Sequence, residues 1–340
     1  MATLHLLDAT DLAHPGLEPF RTLRRHRDLE RRAPFVAEGE AVVLRLLASP
    51  YPVTSLLTTP ARLERLRAAL DARPDTIDVF LAPDDDGVRR VSGFVSAPVK
   101  AFGHVPRPPT LDDLLRDAPR PRLLVALDGL ASAENVGVVV RNAAGLGAHG
   151  IVVGATSCSP FLTRAIRTSM GTVFRTPVVE PVDLVAALGR LRAAGVACVA
   201  AHPAPTARPV ETVDLRGDVC VVFGAEGDGI SAAVLAACDV AAALPMAGDV
   251  DSLNVGSASA AMLYEVGRQR RAAPRPATML PPSLGAYPSS LPAAPGDPVA
   301  AAGLLAGQPL NGSETRLRGL PAALARLASV SPGSRRALLG

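Results

Sequence analysis

The sequence predicts an α/β protein: a small N-terminal α/β domain, then a larger one built on a mostly parallel sheet. Two observations carry this. From about Pro121 onward, short Val-rich runs alternate with amphipathic stretches, the signature of strands linked by helices. Those runs are apolar at nearly every position, as expected of strands covered on both faces. With 48% hydrophobic residues in 340, the chain can bury a sizeable core, and with 3% aromatic residues and no Trp that core must rest on Ala, Val and Leu.

In the first 118 residues, 41–49 (AVVLRLLAS) and 61–72 (ARLERLRAALDA) have helical spacing. The apolar runs 53–59 and 78–83 are bounded by Pro and read as strands. A Pro-rich connector, GHVPRPPTLDD (103–113), closes this part. The second domain, 119–271, opens with a buried strand at 122–130 and a helix at 135–147 ended by Gly. Next come a strand at 151–154, a polar helix around Arg164–Ser169, a strand at 174–179 and a helix at 184–195. Strands at 196–202, 219–227 and 241–246 follow, and an amphipathic helix at 254–271 completes it. Residues 272–340 are rich in Pro, Ala, Ser and Gly and are expected to be a disordered tail.

Several function classes fall away. No apolar run reaches 18 residues, and the N-terminus carries Asp8 and two His where a signal peptide would be apolar. Cys158, Cys198, Cys220 and Cys238 have no zinc-type spacing, so a cytoplasmic protein with reduced thiols and no metal is expected. GLGAHG (145–150) matches the dinucleotide fingerprint by letter. Its glycines follow a helix and precede a strand, the reverse of the order that places a helix N-terminus on a pyrophosphate. It reads as a helix C-cap with Gly147 left-handed.

Three segments hold polar residues at chemically useful spacing. In ENVGVVVRNAAGLG (134–147), Asn135, Val138, Arg141 and Asn142 share one side of a helix, with Asn135 as its natural N-cap. In VVFGAEGDGIS (221–231), a buried strand runs into a Gly-rich loop that lets backbone approach a ligand. In LPMAGDVDSLNVGSASAAMLYEVGRQRR (244–271), a strand end and a polar turn lead into a helix of small residues.

In this order the three resemble the motifs of the SpoU/TrmH family of RNA ribose 2′-O-methyltransferases, in the SPOUT superfamily. The matching residues are Asn135, Gly137, Arg141 and Ala143; Gly224, Glu226 and Gly229; and Pro245, Met246, Gly248, Ser252, Leu253, Asn254 and Val255. Gly256 departs from the family's usual Ser, and Arg167 and Ser169 match the linker after the first motif. Residues 31–49 resemble, more loosely, the ribosomal-protein-like substrate-binding domain of many members.

The resemblance implies a C-terminal trefoil knot, which no general rule of chain topology would suggest. It implies S-adenosylmethionine held by Gly224, Leu244, Met246, Leu253 and Gly229. It also implies that Arg141, Asn135, Ser252, Asn254 and Glu226 surround the reacting ribose, with a homodimer in which the Arg and the cofactor come from different subunits. The resemblance gives Arg141 the place of the residue often proposed as the base; a guanidinium stays protonated, so the alternative is that it orients ribose and phosphate while the proton leaves another way. Phosphate contacts are expected from the basic run holding Arg21, Arg24, Arg25 and Arg27, and from Arg167 and Arg270. A net charge of +3 leaves room for such a local face. The separate N-terminal domain favours rRNA over tRNA. An RNA-binding protein without catalysis, and a resistance-conferring rRNA methyltransferase, are the alternatives.

Overall fold

The computed structural model describes residues 2–21, 34–93, 97–105, 107–181, 183–204, 206–247 and 252–272. The expected tail therefore lies outside the described residues. The N-terminal part runs β1 (Thr3–Asp8), α1 (Glu18–Arg21), β2 (Phe35–Glu38), α2 (Glu40–Leu47), β3 (Val53–Thr58), α3 (Pro60–Asp71), β4 (Thr76–Leu81), α4 (Asp85–Ser92) and β5 (Lys100–Gly103). Its five-stranded sheet has the order β1-β4-β3-β5-β2, parallel from β1 to β3 and antiparallel around β5.

Local chemistry explains the helix ends. Pro60 opens α3, where its missing N–H costs nothing. The Asp84 side chain accepts from Gly87 N–H at 2.6 Å at the start of α4, and left-handed Gly93 closes it.

The second part continues with α5 (Leu111–Asp117), β6 (Leu123–Asp128), α6 (Ala133–Gly145), β7 (Gly150–Val153), α7 (Thr163–Thr168), β8 (Val178–Val179), α8 (Leu184–Ala193), β9 (Ala197–Ala201), β10 (Arg208–Pro209), β11 (Val219–Gly224), α9 (Ala232–Ala237), β12 (Val240–Ala243) and α10 (Val255–Ala272). Every pairing in its seven-stranded sheet, β10-β12-β9-β11-β6-β7-β8, is parallel. All six residues of β6 are buried, and so are all of β11 before Gly224. The mostly parallel α/β architecture is as the sequence predicts.

Some details differ. The run 174–179 is a 3-10 turn over Thr172–Arg175 with a strand of only two residues after it. The strand expected at 241–246 stops at Ala243, which leaves Leu244 and Met246 on a loop. The connector contains α5, capped by a reciprocal pair between Thr110 and Asp113.

The two sheets share core. One apolar cluster includes Phe35, Val42 and Leu46 from the first part with Phe174, Ile166 and Val173 from the second. Gly137 sets the distance between α6 and α7: a Cβ there would stand 2.6 Å from Ala165 O and 2.8 Å from Thr168 Cβ. Gly137→Ala should therefore destabilise the protein by about 1–3 kcal/mol, the usual scale of overpacking. Denaturant unfolding checks this; an unchanged midpoint would mean the helices separate freely.

Candidate active site

In an open parallel sheet, ligands gather at the carboxyl ends of the strands. At that edge β11 ends opposite β6, with Gly224 in register with Asp128. The loop after β11 folds back on itself: Ala225 N–H donates to Gly229 O at 2.9 Å, and Gly229 N–H to Ala225 O at 3.1 Å. Gly227 and Gly229 have φ of +89° and +70°, which residues with a side chain rarely adopt. Ser231 N–H donates to the buried Asp128 carboxylate at 2.7 Å and ties the loop to β6.

This loop forms one wall of a cavity of about 350 Å³. Leu244 and Met246 beyond β12, Ser252, Leu253 and Asn254 before α10, and Ala258 and Met262 on α10 form the others. Gly224, Gly229, Leu244, Met246 and Leu253 therefore meet in one place. Met246 and Leu253 are 37% and 43% exposed, large apolar side chains left open where the cavity is. Among the described residues its lining includes Glu226 and Asp228 but no Lys or Arg, which suits a cationic ligand and not a polyphosphate.

A polar cluster stands at the rim. Asn254 Nδ2 donates to Glu226 Oε1 at 2.6 Å, and Asn135 Nδ2 donates to the same oxygen. Asn254 Oδ1 accepts from Gly256 N–H at 2.8 Å and so fixes the turn into α10. The first, second and third segments are joined through one carboxylate oxygen.

Ala201, His202 and Pro203, after β9, also line the cavity and were missed in the sequence. β9 lies beside β11 and ends at the same edge, a neighbour relation that only the fold shows. A Cβ on Gly229 would stand 3.6 Å from the His202 ring, whose Nδ1 is buried with no hydrogen-bond partner among the described residues.

Known proteins resemble this chain in sequence and in structure. Residues 122–264 match the SpoU rRNA Methylase family. The 23S rRNA (guanosine-2′-O-)-methyltransferase RlmB of Burkholderia sp. is 31% identical over 237 residues, 68% of this chain and 94% of that protein. The chain belongs to the SpoU rRNA methylase family. It is an RNA methyltransferase. An uncharacterized tRNA/rRNA methyltransferase of Mycolicibacterium vanbaalenii is 39% identical over 165 residues, 48% of this chain; the match spans only about half, 52%, of that relative. The crystal structure of AdoMet-bound rRNA methyltransferase from Sinorhizobium meliloti superposes with a TM-score of 0.65 at 26% identity, over 77% of this chain and 98% of that one.

Within this SpoU protein, several expected residues sit differently. Asn135 is not the N-cap of α6. Ser132 is, accepting from Asn135 N–H at 3.3 Å, and this frees the Asn135 side chain to reach Glu226. Arg141 lies one turn beyond Gly137, on the α7 side of α6. It is exposed, outside the cavity lining, and makes no hydrogen bond or ion pair among the described residues. Arg167 is likewise exposed on α7.

Arg270 is a correction. Its guanidinium donates to Pro121 O at 3.0 Å, Arg122 O at 2.7 Å and Gly217 O at 2.7 Å. Those carbonyls precede β6 and β11, at the opposite end of the sheet from the cavity. Arg270 pins the last helix to the sheet and is not placed for phosphate. Arg270→Ala should cost about 2–3 kcal/mol, since charged hydrogen bonds are removed and carbonyls left unpaired. Thermal unfolding should show the destabilisation while RNA affinity of the folded protein stays unchanged.

Arg21 ends α1 and pairs with Glu18 at 2.6 Å. Arg24, Arg25 and Arg27 lie outside the described residues, as do Gly248 and Asp251. At Gly256, the departure from the family's usual Ser, a Cβ would stand 2.6 Å from Val138 Cγ1 on α6, so the two helices cross closely here. Asn142 locks the same crossing, its Nδ2 donating to Gly256 O at 2.7 Å and Ser259 Oγ at 2.9 Å.

Proposed function

We propose that this protein transfers a methyl group from S-adenosylmethionine to a ribose 2′-hydroxyl of RNA, with rRNA favoured over tRNA. The observation that carries the reading is the cavity itself. Backbone-rich walls, apolar side chains including Leu244, Met246 and Leu253, and two carboxylates fit a sulfonium nucleoside, and the Asn135–Glu226–Asn254 cluster stands at its rim. A volume of about 350 Å³ lies within the usual range for small-molecule sites. Relatives agree: the Burkholderia protein is named for guanosine 2′-O-methylation, and the Sinorhizobium enzyme binds AdoMet.

When bound, the cofactor supplies an electrophilic methyl on a positive sulfur. The chain's own residues have the remaining tasks. Gly224, Gly229, Leu244, Met246 and Leu253 bind and exclude water. Asn135, Glu226 and Asn254 form a prearranged set of polar groups for the ribose, and Ser252 lies beside them. Arg141 orients ribose and phosphate with its planar fork. In this reading Arg141, which is outside its own chain's cavity, comes from a second copy, and the enzyme works as a homodimer.

Labelled S-adenosylmethionine, RNA and mass spectrometry of the resulting nucleosides test this. Label on the ribose fragment supports the reading; label on a base overturns it. A second expectation concerns the basic run. Replacing Arg24, Arg25 and Arg27 by Ala should weaken RNA binding and flatten its salt dependence, since each phosphate no longer neutralised keeps its condensed counterion, about one per Arg removed. Turnover at saturating RNA should survive, as single-turnover assays will show.

A further inference from the structure

A second cavity, about 820 Å³, opens between the connector and the ends of β7 and β8. It shares no lining residue with the first. One wall is aromatic. Tyr51 and Phe161 line it with ring centroids 5.6 Å apart; Phe35 packs against both rings, and Phe174 packs against Tyr51 and Phe35. The chain has only 8 Phe and 3 Tyr, so four of its eleven rings stand at this junction. Burial pushes the Tyr51 phenol up to about 12, and it stays a neutral hydrogen-bonding group at ordinary pH.

The remaining walls are mixed. Pro108 and Pro109 add apolar surface, Arg107 and Arg190 bring positive charge, and Glu180 and Asp183 bring negative charge, Asp183 being engaged as the cap of α8 by accepting from Ala186 N–H at 3.1 Å. Arg190 pairs with Asp112, whereas Arg107 is exposed with no partner among the described residues. Two rings meeting edge to face at 73°, beside the Arg107 guanidinium at the open side, fit a nucleotide: a flat base against a ring and its single phosphate at Arg107, away from the two carboxylates. A polyphosphate would need more cations than Arg107 and would be repelled by Glu180 and Asp183.

Position supports the same occupant. β11, β6, β7 and β8 are successive neighbours, so at ~4.8 Å per strand their carboxyl ends span about 14 Å along one edge. Single-stranded RNA, at about 3.4 Å per nucleotide when stacked and roughly twice that when extended, crosses this in about two to four nucleotides. Sequence-specific RNA recognition works on bases splayed out of their stack.

We propose that the second cavity takes one unstacked base of the RNA substrate, a few nucleotides from the methylated ribose, against Tyr51 and Phe161, with Arg107 at its phosphate. The inference rests on the reading of RNA as substrate and adds a second contact point to it.

The test uses the full chain and a randomised single-stranded RNA carrying 4-thiouridine. Ala186 lines the cavity from the exposed face of α8, so Ala186→Trp fills the space without touching the ring cluster. Tyr51→Leu removes the stacking face directly. Both variants should bind the RNA about 10-fold more weakly, in line with the removal of one stacked base, and keep their affinity for S-adenosylmethionine. Crosslinks to Tyr51 or Phe161 should appear in the unmodified protein and vanish in Ala186→Trp. Unchanged RNA affinity in Ala186→Trp would overturn the cavity assignment and leave the enzyme reading intact. Equal falls in RNA and cofactor affinity would indicate a general disturbance and also overturn it. A protein that binds cofactor but no RNA would overturn both.

Discussion

Gly224→Val should abolish cofactor binding, with S-adenosylmethionine affinity falling by about 100-fold or more in calorimetry. A Cβ at Gly224 would stand 2.2 Å from Gly229 C, 2.3 Å from Ile230 N and 2.4 Å from Gly229 O. All three are backbone atoms, so the loop itself must move. The Gly-rich sequence suggested that the missing side chain made room for a ligand. The geometry gives a different reason: it makes room for the far side of the same loop, whose two hydrogen bonds between Ala225 and Gly229 would break. The buried strand below the loop should stay folded. Undiminished affinity in a folded Gly224→Val protein would place the cofactor elsewhere.

Arg141→Ala should leave cofactor and RNA binding largely intact and reduce single-turnover methylation by about 100-fold or more, the scale expected when an orienting or proton-handling group is removed. Arg141→Lys should rescue little, because a point charge cannot reproduce the planar fork. The residue is exposed and free of partners among the described residues, so neither change should disturb the fold. Mixing the Arg141→Ala and Gly224→Val proteins tests where the group acts. If each site combines the pocket of one subunit with the Arg of the other, about half of the random dimers carry one complete site. About a quarter of full activity should then return. No recovery would place Arg141 beside its own chain's pocket.

Much of the fold was legible because its strands are buried on both faces. Runs such as 122–130 and 219–224 carry apolar residues without alternation, and the helices between them end at Gly. The GLGAHG reading also holds: α6 ends at Gly145, Gly147 has φ +84° and β7 begins at Gly150. Less visible were the edge and antiparallel strands of the first sheet. β1 is mostly exposed, and β5 carries Lys100 in its first position. That ammonium is buried against Glu38 at 3.2 Å, a pairing across β2 and β5 that a local pattern cannot show. The Pro-rich connector hid α5, although Thr110 and Asp113 already had capping-box spacing.

The candidate site was legible as three segments and not as a geometry. Periodicity placed Asn135, Glu226 and Asn254 on separate elements; only the fold brings them to one carboxylate oxygen. Arg270 shows the opposite limit. A basic last turn reads as a solvated or phosphate-facing end, but the helix packs so that this side chain meets the carbonyls that begin the sheet. His202 escaped notice because no sequence motif surrounds it. Its place is set by the strand it follows.

Alkaline hydrolysis of RNA after incubation with S-adenosylmethionine bears most directly on the central claim. Base cleaves RNA through attack by the 2′-oxygen, so a methylated ribose leaves a gap in the cleavage ladder. A 2′-O-methyltransferase should produce a gap at a defined nucleotide with the unmodified protein, absent without cofactor and absent with Arg141→Ala. Methyl incorporation into RNA with an unbroken ladder would contradict it.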